Sequence, residues 1–120
     1  MAKGSFQENN RQFPRVNLDL KGVYRVLDLE RNEGCAEIQN LSHGGLMFIS
    51  SNILRKGDLL DMTLFCLEFE IFFNAKVVWT EQLGGIIADE YRFGIQYLRI
   101  PTMDKRYLSL IIASKYDSKT

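Results

Sequence analysis

Two short polar stretches carry the side chains best able to hold an anion. Arg11 and Arg15 stand four apart around Phe13-Pro14, and Asn40, Ser42, Gly44 and Gly45 fall within the run Asn40-Leu-Ser-His-Gly-Gly45. Pro14 lacks an amide and pushes Phe13 towards extended geometry, so the two arginines belong to an extended arm and not to a helix face. Each guanidinium is a planar fork of donors that fits phosphate oxygens or the N7/O6 edge of guanine, and it can also stack on a base. Asn40 and Ser42 add short side-chain donors, and the two glycines leave the backbone free to approach a ligand. The chemistry expected of this set is recognition of a guanine nucleotide.

Other reactive residue types do not assemble into a pattern. His43 is the single histidine, and Cys35 and Cys66 are far apart, which does not make a metal site. Ser42 and His43 are sequence neighbours, whose side chains diverge where a nucleophile and its base must converge. Asp89-Glu90 reads as solvated charge in a polar loop. GxxxxGK[ST], HExxH and a GxGxxG following a strand are all absent from the sequence. No catalytic residue, metal or cofactor is therefore expected. Taken singly, each polar stretch also has a plain structural reading: arginines four apart are common on surfaces, and Asn40-x-Ser42 suits an Asx or Ser turn with Gly44-Gly45 supplying positive φ.

The totals agree with one small site. The chain has 120 residues, enough for one domain. Lys and Arg number 15 and Asp and Glu 15, with no long run of one sign, so a duplex-wide phosphate footprint is not expected. Within residues 1–25, however, Lys3, Arg11, Arg15, Lys21 and Arg25 outnumber Glu8 and Asp19, a local excess that would attract a small anion. Isolated cysteines suit a reducing compartment. The N-terminus has no apolar leader and no segment reaches the roughly 18 apolar residues of a spanning helix, so a soluble, cytoplasmic protein is expected.

The elements that must position these residues are strands. Residues 1–10 read as a mobile arm. Val16, Leu18 and Leu20 alternate with polar residues, and Gly22 then breaks phase, predicting one long strand bent by a bulge at Gly22. Cys35–Gln39 and Gly45–Ser50 read as strands joined by the Asn40–Gly45 loop, Lys56-Gly57-Asp58 as a turn, and Leu59–Thr80 as two or three strands. Gly84-Gly85 opens a loop, Phe93–Leu98 is a last strand, and a helix begins at Pro101-Thr102 with Thr102 as N-cap and Tyr107, Leu108, Ile111 and Ile112 as its apolar stripe. Phe69, Ile71, Phe72 and Phe73 place apolar groups on both faces, as core or as an interface; burial of Phe69, Phe72 and Phe73 would argue against a protein- or RNA-binding face. The pattern predicts a mainly β fold, a small antiparallel six-stranded β-barrel with a C-terminal α-helix.

Read together, the two polar stretches make the chain resemble the PilZ domain family, whose signature is RxxxR followed about 20–30 residues later by [D/N]xSxxG. Arg11, Arg15, Asn40, Ser42 and Gly45 fit it position by position. Gly44-Gly45-Leu46, Leu54-x-x-Gly57-Asp58, Val77-Val78-Trp79 and Phe93-Gly94-Ile95 extend the likeness over roughly residues 10–115. The resemblance implies a β-barrel that binds cyclic di-GMP, a bacterial second messenger. It implies that Arg11 and Arg15 grip guanine edges and phosphates while Asn40, Ser42 and Gly45 hold the other side of the nucleotide. Asn10 stands where many members carry another arginine, which leaves affinity and the number of bound nucleotides open. The expected layout is an arm at 1–10, the barrel with its helix at 11–115 and a tail at 116–120. The expected function is a non-catalytic cyclic di-GMP receptor acting on an unidentified protein partner, without nucleic acid or membrane insertion; a homodimer stays open. The alternative is a nucleotide-independent PilZ-fold adaptor working through the Phe-rich stretch 65–73.

Overall fold

Alternation of side chains at period two sets the strands, and their lengths set the barrel. The computed structural model describes residues 16–27, 33–66, 69–84 and 89–118. Six strands are formed: β1 (Val16–Val26), β2 (Glu33–Leu41), β3 (Gly45–Ser50), β4 (Leu59–Phe65), β5 (Glu70–Gln82) and β6 (Tyr91–Arg99). β5 illustrates the rule: Ile71, Phe73, Ala75 and Val77 are buried while Glu70, Phe72 and Lys76 face solvent. The strands close in the order β1-β2-β3-β6-β5-β4, antiparallel throughout. Each strand is paired on both sides, which is the six-stranded barrel expected from strands recurring at short spacing before one terminal helix.

The interior is filled by Leu46, Phe48, Leu60, Met62, Leu64, Ile71, Val77 and Phe93, all essentially inaccessible. Phe48 packs against Tyr24 and Phe93 with ring centroids 5.5 and 5.4 Å away. α1 (Thr102–Ser118) packs on the barrel through Leu108 and Ile112, and Tyr107 stacks on Phe69 at 4.3 Å. Its first turn is fixed by Asp104, whose carboxylate accepts the Phe72 amide at 2.6 Å. That amide needs a partner because β6 pairs with β5 only from Asn74 onward.

Several local expectations shift. Gly22 is paired regularly with Ala36 and Leu64, and the irregularity in β1 lies between Asn17 and Leu20. β2 runs on through Asn40 and Leu41, and Leu59–Thr80 holds parts of two strands. The Pro101 carbonyl accepts the first helical bond, from Lys105, so Thr102 is the first helical residue and not the cap. Of the three phenylalanines, Phe73 is buried and Phe69 half-buried, but Phe72 is 52% exposed. Phe65 is exposed as well, so the outer surface of β4 and β5 keeps an apolar patch.

Candidate ligand-binding site

Only Ser42, His43 and Gly44 lie between β2 and β3, so the expected six-residue loop is a tight turn. Asn40 is held in β2 opposite Met47, and Gly45 in β3 opposite Gln96. Ser42 is buried and closes the turn on itself. Its amide and hydroxyl both donate to the Gly45 carbonyl, at 2.9 and 3.2 Å, and its hydroxyl oxygen accepts the amides of Gly44 and Gly45. Gly45 is glycine for want of space: a Cβ there would lie 2.0 Å from the Ile95 carbonyl oxygen. Positive φ occurs at Gly57 and Gly84 and not at Gly44 or Gly45, so close approach of β6, and not a left-handed turn, is the reason for glycine at 45.

Around this turn the registers build a strip on the outside of the barrel. Asn17 pairs with Asn40, Asn40 with Met47, Met47 with Gly94 and Gly94 with Trp79. The indole of Trp79 lies directly over Gly94, where a Cβ would fall 2.2 Å from its Nε1. Met47, Gly94 and Trp79 therefore stand in one row across β3, β6 and β5, with Asn40 at its β2 end. Residue types alone did not reveal it. Val77 and Trp79 would share a face at strict period two, but a bulge between them turns Val77 inward and Trp79 outward. The Val77-Val78-Trp79 and Phe93-Gly94-Ile95 segments were visible as signals, but their meeting was not.

Val16 pairs with Leu41, so β1 begins beside the Ser42–Gly44 turn. Arg11 and Arg15 lie outside the described residues. On the other side of the turn, His43 Nε2 is 3.2 Å from Ser109 Oγ on α1, and the Gly44 carbonyl accepts the Tyr97 amide of β6 at 3.2 Å.

Among the described residues no group of three or more His, Cys, Asp or Glu could hold a metal ion. No helix among them is long and apolar enough to cross a membrane. Burial pushes the Tyr24 phenol up while bonds to Ser50 and Asn52 pull it down.

Comparison with known proteins gives this arrangement a family. A family model described as the PilZ domain matches residues 9–114. The fold is similar to the PilZ domain of YcgR from Escherichia coli with c-di-GMP: TM-score 0.74 at 15% identity, over 92% of this chain and 94% of that one. The Bacillus subtilis inhibitor of motility MotI/DgrA gives TM-score 0.74 at 17% identity over 92% of this chain and 53% of that one. The K. pneumonia MrkH–c-di-GMP complex gives 0.72 at 20% identity over 92% and 56%. The chain thus spans about half the length of the latter two. Among curated proteins no sequence matches this chain.

Proposed function

The chain belongs to the PilZ domain family, and on that premise we propose that it is a non-catalytic receptor for cyclic di-GMP. The observation that carries the proposal is the β1–β2 register. With Val16 opposite Leu41 and Asn17 opposite Asn40, the chain leaving the RxxxR arginines meets the NxSxxG residues. In this reading Arg11 and Arg15 close over the nucleotide, offering forked donors to phosphate oxygens and guanine edges. Asn40 supplies a side-chain donor and acceptor from β2. Gly45 lets the backbone come close, and Ser42 keeps the turn in shape. Met47 and Trp79 offer a floor against which a base can lie.

Ordering the arm costs roughly 1–2 kcal/mol of backbone entropy per residue fixed, so the charge-assisted contacts must exceed that sum. An arm folded down over ligand changes the surface beside the barrel, and a protein partner in the bacterial cytoplasm reads that change. MrkH and YcgR, solved with c-di-GMP, support the choice of ligand. The adaptor reading keeps one observation in its favour, the exposed Phe65 and Phe72.

Calorimetric titration with cyclic di-GMP, with GTP and cyclic GMP as controls, separates the two. The receptor gives saturable, selective binding that Arg11→Ala and Arg15→Ala abolish and Ser42→Ala weakens. Absence of heat and of any melting shift in the wild type would leave the adaptor.

A further inference from the structure

The turn between β2 and β3 has a single side chain that leaves the barrel. Ser42 is buried and committed to the turn, Gly44 has no side chain, and His43 is exposed with its ring reaching Ser109 of α1 at 3.2 Å. A second tie leaves the same turn through the backbone. The Gly44 carbonyl accepts the Tyr97 amide, Tyr97 sets its ring edge-on against Phe73 at 4.8 Å, and β6 ends at Arg99, just before α1 begins at Thr102. A displacement of the turn therefore reaches α1 along its side, through Ser109, and at its start, through β6. α1 is otherwise fixed by Asp104 on the Phe72 amide, by Leu108 and Ile112, and by the Tyr107–Phe69 stack. None of those contacts involves the turn, whereas the His43 ring joins the turn to the helix directly.

We infer that His43 couples the ligand turn to α1, so that cyclic di-GMP held at Asn40–Gly45 tightens the docking of α1 and makes this helix the element that reports binding. The inference rests on the receptor reading above. A ligand that narrows the motions of the turn holds the His43 ring where Ser109 meets it, and the stabilised helix in turn favours the liganded turn. Such coupling is reciprocal, so removing the contact from the helix side must weaken ligand binding although Ser109 lies outside the turn. His43 and Ser109 act here as positioning residues.

The test uses the full chain. Hydrogen exchange of residues 102–112 is followed with and without saturating cyclic di-GMP, and affinities are measured for wild type, Ser109→Ala, His43→Ala and the double variant. Exchange in α1 slows on binding in the wild type. Ser109→Ala weakens binding by about 2- to 10-fold, the span covered by one hydrogen bond, and still saturates, but its α1 exchange no longer responds. The double variant binds no more weakly than His43→Ala alone, because the two residues share one interaction. If the wild type binds while α1 exchange is unchanged or faster, or if Ser109→Ala binds as the wild type does, the coupling is refuted and the receptor reading stands. If the wild type does not bind at all, both fall together.

Discussion

Gly45 sits so close to β6 that the smallest side chain would meet the Ile95 carbonyl. Gly45→Ala must part β3 from β6 or distort the turn, and overpacking of this kind costs about 1–3 kcal/mol. Thermal melting should show a drop of several degrees, together with loss of cyclic di-GMP binding; an unchanged midpoint would mean the strands yield freely. Tyr24 gives a pH test. Its hydroxyl is buried and hydrogen-bonded to Ser50 at 2.8 Å, and burial raises its pKa above the ordinary value. The folded protein then keeps a proton that the unfolded chain releases, so stability is flat below the usual tyrosine pKa of about 10 and falls as pH rises above it. Tyr24→Phe should lose about 0.5–1.5 kcal/mol at neutral pH and flatten the alkaline decline. Equal slopes in urea unfolding from pH 9 to 11 for both proteins would rule that assignment out. At this scale the sequence was informative where chemistry alone suffices. The types at Asn40, Ser42 and Gly45 marked a special turn, but the reason for Gly45 depended on how near β6 comes, which residue types do not encode.

Elements were legible where periodicity was uninterrupted and blurred where it broke. The stripe of Tyr107, Leu108, Ile111 and Ile112 predicted the buried face of α1, whereas the apolar run at Phe69, Ile71, Phe72 and Phe73 left the inward side of β5 open until its pairing showed Ile71 and Phe73 buried and Phe72 exposed. What alternation does not carry is the position of a bulge, because an extra residue is defined by its partner strand. The phase break assigned to Gly22 belongs between Asn17 and Leu20, and the inversion that brings Trp79 outward lies at Val78. Helix docking also depends on a pairing that sequence hides, the Asp104 carboxylate on the Phe72 amide. Asp104→Ala leaves that amide to water and removes an acidic group from the helix's first turn, at a cost of about 1 kcal/mol. The expected result is faster exchange in α1 with the barrel strands little changed. Uniformly faster exchange across all strands would show that helix and barrel melt as one unit.

At the scale of the whole molecule, closure governs. Every strand has two neighbours, so no strand edge is left free among those described and edge-to-edge association has little to hold. The core must then act as one cooperative body. Phe48→Ala, which empties the space between Tyr24 and Phe93, should cost about 3–5 kcal/mol and lower the melting temperature without broadening the transition. A broad or two-step melt would show that the barrel has separable halves. Closure also bears on when the ligand site comes into being. β1, β2 and β3 can pair in the order in which they leave the ribosome, yet Gly45 is lodged against Ile95, Gly44 is held by Tyr97, and Gly94 is covered by Trp79. Asn40 and Ser42 are translated early but acquire their surroundings only when β6, the last strand, has been made. On the receptor reading, a nascent chain carries the whole signature long before it could sequester the messenger, so only finished molecules would enter the competition for it.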